Sequence, residues 1–82
     1  MSATDPEAVV HRVDASGLHC PQPLRALAGA IGDVAVGTIV ELTATDPTAR
    51  IDVPVWCRLQ RHRLREATEV EGAWRFRVER TR

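Results

Sequence analysis

The sequence predicts an α/β (α+β) two-layer sandwich with element order β-α-β-α-β-β: a four-stranded mixed sheet with two helices on one face. Three observations carry this. Two segments with apolar residues at helical spacing each follow a run rich in β-branched residues, and the chain closes on two alternating runs joined at a glycine. Right-handed crossovers after the first and second strands place both helices on the same side of the sheet.

Residues 1 to 7 have turn-forming and charged character without periodicity and read as a flexible N-terminal tail, ahead of one domain spanning residues 8–82. Ala8 to Val13 is β-branched and ends at Asp14-Ala15-Ser16-Gly17, a strand closed by a turn. Leu24, Leu27, Ala28 and Ile31 then fall on one helical face, predicting a helix over 21–33. Pro21 suits its first position because its missing N–H is not needed there, and Gly32 or Gly37 offers a stop.

Thr38 to Thr45 alternates as a second strand and stops at Asp46-Pro47. Asp52 reads as the cap of a short second helix that runs to about Arg61, with Pro54 in its first turn and Val53, Trp56 and Cys57 on one face. Leu64 to Glu71 reads as the third strand. Gly72 turns the chain into the fourth, where Trp74, Phe76 and Val78 alternate with Arg75, Arg77 and Glu79 and face the helices.

Composition narrows the function by exclusion. A chain of 82 residues buries roughly 60% of its unfolded surface, which leaves little room for a deep cavity and places the chemistry at the surface. All eleven basic residues are Arg, so no lysine is present to act as Schiff-base nucleophile or general base. The formal charge is zero, against the basic excess of a dedicated nucleic-acid binder, so direct nucleic-acid binding is not expected. The arginines thicken toward the C-terminal half, as a solvated surface or as a local basic face for RNA or an acidic protein. The start of the chain lacks a basic and apolar leader, and no segment approaches the roughly 20 apolar residues of a membrane span, so the expected location is cytoplasmic, without membrane contact. In a reducing compartment the two cysteines are expected as thiols.

Cys20-Pro21-Gln22-Pro23 places a thiol at the N-cap of the first helix, where unpaired amides and the positive end of the dipole favour an anion. A depressed Cys20 pKa follows as the expectation, since such positions lower the thiol from about 8.5 toward neutrality. With Pro21 and Pro23 lacking N–H groups, the amides of Gln22 and Leu24 are those left to support a sulfur anion at the cap. A hydrolytic cysteine nucleophile needs a base and an oxyanion site. His11, His19 and His62 are the candidate bases and none has an evident acidic orienter, whereas sulfur exchange between thiols requires neither.

Asp14-x-x-Gly17-Leu18-x-Cys20-Pro21-x-Pro23, then Asp46-Pro47-x4-Asp52-Val53-Pro54-x-Trp56-Cys57 and His62-x-Leu64, resembles the TusA/SirA-like sulfur carrier (sulfurtransferase) family over roughly residues 9 to 80. The resemblance implies a persulfide carrier in which Cys20 receives sulfane sulfur from a cysteine desulfurase or rhodanese-like donor. It then passes the sulfur to a downstream acceptor protein serving tRNA thiolation, cofactor assembly or sulfur metabolism. No cofactor is implied. Arg61 stands where many relatives carry Gly, and the basic set is all Arg where relatives often have Lys near the first helix, which bears on the partner. Arg25, Arg50 and His62 are the candidate docking residues.

Other residues have structural readings beside the functional ones. Cys57 shares the apolar face of its helix and reads as a core residue. His62 sits where a histidine commonly caps a helix C-terminus, and Asp46 reads as a turn residue. The side chain of Gln22 is placed to meet a docked partner. No cysteine or histidine spacing supports a metal site. Two alternatives stand beside the carrier: a non-enzymatic RNA- or protein-binding regulatory module using Arg75 and Arg77, and a redox role pairing Cys20 with Cys57.

Overall fold

The computed structural model describes residues 10–82. Its elements are β1 (Val10–Ala15), α1 (Gln22–Asp33), β2 (Ile39–Ala44), α2 (Ala49–Gln60), β3 (Arg63–Val70) and β4 (Ala73–Glu79). The expected tail and the expected strand residues Ala8 and Val9 lie outside the described residues. β1 runs two residues past its predicted end, so Asp14 and Ala15 belong to the strand and the turn falls on Ser16 and Gly17.

The strand order is β1-β2-β4-β3. β1 pairs parallel to β2, from Val10 opposite Ile39 to Ala15 opposite Ala44. β4 is antiparallel to both β2 and β3, so β2 and β3 run parallel with β4 between them. Each helix is therefore a crossover between parallel strands, which puts both on one face, as predicted. The β3–β4 hairpin turns on Glu71 and Gly72, both at positive φ (50° and 83°), the pairing that matches the twist of two-residue hairpins.

The core lies between sheet and helices. Val40, Leu42 and Ala44 of β2 alternate inward and stand opposite Val78, Phe76 and Trp74 of β4. α1 packs Pro23, Leu27, Ala30 and Ile31 onto them, and α2 packs Ala49, Val53 and Cys57. Ala28, expected on the inner face of α1, is exposed, and Ala30 is buried in its stead.

α2 departs from expectation most. It begins at Ala49, with Thr48 as N-cap, so it is as long as α1 at 12 residues, and Pro54 lies inside it rather than in its first turn. The N-cap position assigned to Asp52 falls instead on Thr48, whose side chain makes no capping bond, and the turn before it is held by Asp46. There Asp46 Oδ1 accepts hydrogen bonds from the Thr48 amide and hydroxyl, both at 2.9 Å, a turn after the strand that brings the chain into the helix four residues earlier than expected.

α1 ends without a glycine stop. Val34 goes extended (φ −114°), Gly32 remains helical, and Arg80 Nη1 donates to the carbonyls of Ile31 and Val34. Arg82 Nε donates to the Gln60 carbonyl at 3.0 Å at the end of α2. A guanidinium thus meets the negative end of each helix dipole, and the C-terminal segment ties down the helix ends opposite the two N-termini. On the open face of the sheet, Arg12, Glu41, Arg77 and Glu66 stand in register across all four strands, with ion pairs of 3.2, 3.0 and 3.9 Å in sequence.

Candidate functional site

Cys20 sits in the loop from β1 to α1, exposed, one residue ahead of the N-cap Pro21. The loop is held by contacts from the β2–α2 loop. Gly17, at φ 81°, donates its amide to Thr45 Oγ1 at 2.8 Å, and the Cys20 amide donates to Asp46 Oδ2 at 2.7 Å. Asp46 thus holds the cysteine with one oxygen and the turn leading into α2 with the other. Its carboxyl lies below its ordinary range because the Thr48 amide, the Cys20 amide and the Thr48 hydroxyl all stabilise the anion. The Cys20–Pro21 peptide bond is cis.

This fixation brings the two helix N-termini together around the sulfur. Cys20, Pro23, Leu24, Thr48, Ala49, Asp52 and Val53 line a cleft of about 10 Å³, room for roughly one water molecule. Its one acidic wall is Asp52, in the first turn of α2, and Cys20 Sγ donates to Asp52 Oδ2 at 3.0 Å.

That contact overturns the expected thiolate. The Cys20 pKa lies above its ordinary value, first because the S–H donates to Asp52, then through desolvation and the Asp52 charge; the Thr48 hydroxyl opposes the shift and the Asp46 charge adds to it. The physical reason is one of magnitude. A full carboxylate charge at 3.0 Å outweighs the roughly half-charge of the α1 N-terminus, which acts diffusely and is screened by solvent. The amide support expected from Gln22 is also spent elsewhere: its N–H donates to the His19 carbonyl at 2.8 Å, and its side-chain oxygen accepts from the His19 amide at 3.4 Å.

The other singled-out residues separate into near and far. Pro23 and Leu24 line the cleft, while Arg25 and Arg50 are exposed on neighbouring helical turns outside its lining. His62 follows α2, some ten residues from Asp52 and so about 15 Å along the helix axis. There its ring lies 5.6 Å from Trp56 and its Nδ1 accepts the Thr81 amide at 3.3 Å. Its pKa is lowered by burial and then by the charges of Arg82 and Arg80. Cys57 is 2% exposed and its thiol is pushed up to about 11 by burial, in keeping with a core residue.

Sequence reasoning missed Asp52 and Thr48 as neighbours of the sulfur. Asp52 belongs to the same block as Asp46, and that shared block is the signal that could have drawn it toward the cysteine loop. It also missed an apolar shelf beside the cleft, lined by Leu24, Val55, Trp56 and Leu59 together with Asp52, and continued by the exposed Ile51. Ile51, Val55 and Leu59 recur every four residues, on a helical face turned away from the core.

The family model described as sulfurtransferase TusA matches residues 11–80. A protein named sulfur carrier protein TusA from Pseudomonas aeruginosa is 38% identical over 64 residues, covering 78% of this chain and 81% of that protein. A protein of the same name from Pseudomonas putida is 34% identical over 76 residues, covering 93% and 91%. With a family match across nearly all the described residues and relatives aligned along most of both chains, this chain belongs to the TusA sulfurtransferase family of sulfur carriers.

Proposed function

We propose that the chain carries sulfane sulfur as a persulfide on Cys20, taking it from one protein and handing it to another. The observation that carries this is an exposed thiol beside a cleft with space for one water and no substrate. Sulfur reaches such a site only on something that docks against it. The apolar shelf next to the cleft supports a protein as that visitor, because exposed apolar surface beside a reactive group is what an interface core covers.

The exchange is a thiol–persulfide transfer. Cys20 Sγ attacks the outer sulfur of the donor persulfide, a new S–S bond forms on Cys20, and the donor's own S–S bond breaks. The donor cysteine leaves as a thiolate and is reprotonated with the proton Cys20 gives up, so the step is redox neutral and needs no cofactor. Delivery repeats the step with Cys20 as the leaving group. The donor is a cysteine desulfurase or rhodanese-like protein, and the acceptor serves tRNA thiolation, cofactor sulfuration or sulfur metabolism. Residues 8–82 form the carrier domain, following the segment 1–7, and act in the cytoplasm; no helix of the described residues is long and apolar enough to cross a membrane.

Part of the arginine surface invoked by the regulatory RNA-binding alternative is already engaged: Arg12 and Arg77 both bond Glu41, and Arg65 bonds Glu79 at 2.6 Å, whereas Arg75 Nε is buried without a hydrogen-bond partner among the described residues. The direct test of the carrier is incubation with a cysteine desulfurase and cysteine, followed by mass spectrometry. One added sulfur on Cys20, absent in Cys20→Ser, is expected; an increment that persists in Cys20→Ser refutes the assignment.

A further inference from the structure

We propose that Asp52 is a catalytic residue for sulfur loading: it holds the empty Cys20 as a hydrogen-bonded thiol, accepts that proton as sulfur arrives, and loses its grip once the sulfur is attached. This rests on the persulfide carrier function proposed above. The geometry is a donor at 3.0 Å from an acceptor-only carboxylate oxygen, on a helix turn fixed in place by Ala49 and Val53 in the core. The Cys20 backbone is anchored separately through Asp46, which fixes the point from which the side chain reaches Asp52.

The consequence is a site that treats its two states differently. In the empty carrier the S–H proton and the Asp52 charge act on the same atom, and both disfavour a free thiolate. The loaded Sγ has no proton to donate, and any negative charge sits on the outer sulfur, about 2 Å further out along the S–S bond. During loading, the proton released by Cys20 passes to the Asp52 carboxylate at 3.0 Å and from there to the departing donor thiolate, which restores both groups. The groups facing this sulfur are Asp52 on α2 and Asp46 and Thr48 in the loop before it, with His19 beside Asp46. Both charges acting on the thiol are negative, and both push its titration the same way.

The test uses the full chain carrying Cys57→Ala, so that one thiol reports, with native circular dichroism required of each variant. Iodoacetamide alkylation rates of Cys20 are measured against pH for the empty form and for the form loaded by a cysteine desulfurase and cysteine, in Asp52, Asp52→Asn and Asp52→Glu chains. In Asp52→Asn the empty-form midpoint is expected to move to lower pH and the rate at pH 7 to rise about three- to tenfold, with a much smaller change in the loaded form. Asp52→Glu, which restores the charge, should return the midpoint toward that of the native chain. A midpoint that stays put or rises in Asp52→Asn overturns the role of Asp52, as does an equal change in empty and loaded forms. The empty-form titration needs no sulfur transfer, so it stands apart from a failure of Cys20 to load, which would sink carrier function and leave the titration result intact.

Discussion

Cys57 offers the sharpest separation of packing from chemistry. It lies on the Ala49, Val53, Cys57 face of α2 within the buried core cluster, 2% exposed. Replacing its sulfur with a hydroxyl in Cys57→Ser puts a polar group where apolar side chains surround it, at a cost of about 1–3 kcal/mol. For a domain of this size that lowers the melting temperature by about 4–8 °C per kcal/mol. Burial also makes the thiol inert: with its pKa pushed up to about 11, roughly one molecule in ten thousand is a thiolate at pH 7. A raised folded-state pKa stabilises the fold fully below the unfolded value and loses that contribution as pH rises through the folded one. In a Cys20→Ser background, stability should therefore fall by about 2–3 kcal/mol between pH 9 and 11, and Cys57→Ala should flatten that slope. Urea denaturation across pH gives the first quantity and mass spectrometry of sulfur loading the second. Loading of Cys20 that survives Cys57→Ala together with a loss of stability in Cys57→Ser is the expected pair; loading that collapses in a folded Cys57→Ala chain would refute the packing role and restore Cys57 as a resolving thiol.

Three further outcomes follow from single contacts. Arg61 closes α2 in the left-handed conformation (φ 63°), which is disfavoured for any residue with a Cβ, so Arg61→Gly should raise stability by about 0.5–1 kcal/mol; a lower melting temperature would count against this. Glu41 is buried on the sheet between two guanidinium groups. Desolvation alone would raise its pKa, but hydrogen bonds from Arg77 and Arg12 outweigh it and leave it lowered, so its stabilisation is present above the unfolded value and fades as pH drops through the folded one. Glu41→Gln should then cost about 1–2 kcal/mol in urea titrations at pH 7 and much less at pH 3. Asp46→Ala frees the Cys20 amide, so hydrogen exchange at that amide should accelerate and sulfur loading should slow, whereas Asp46→Asn, which keeps one acceptor oxygen, should retain more of both; identical behaviour of the two would show that the carboxylate does not hold the loop.

Local pattern was sufficient for the elements and insufficient for their arrangement. The alternation of Trp74, Phe76 and Val78 and the spacing of Leu24, Leu27 and Ile31 name a strand and a helix with their inner faces, because those periods belong to the backbone itself. Nothing local says that β4 slots between β2 and β3, since pairing partners are chosen by tertiary packing. The start of α2 was misplaced because Asp46 and Asp52 are equally good caps by residue type, and only the position of Thr48 distinguishes them. Arg61 was legible only as a departure from a family pattern; its backbone angle supplies the reason a glycine suits that position. For Cys20, the neighbouring prolines and helix start were visible, but the group that governs its proton lies 32 residues away and reaches it only through the fold.

A thiol held protonated has opposite consequences for the two halves of a sulfur relay. As an attacking group, a thiol of higher pKa yields less thiolate at neutral pH, yet each thiolate is a stronger nucleophile, so the loss in rate is partial. As a leaving group, the same sulfur departs more slowly when its pKa is high, and during delivery Cys20 must leave as an anion beside the carboxylate of Asp52. On the carrier function proposed above, the same carboxylate therefore slows release more than loading. Asp52 also lines the apolar shelf with Leu24, Val55, Trp56 and Leu59, so a protein seated on that shelf lies against the group that restrains delivery. On the carrier function proposed above, docking on the shelf and release from Cys20 meet at one side chain, Asp52.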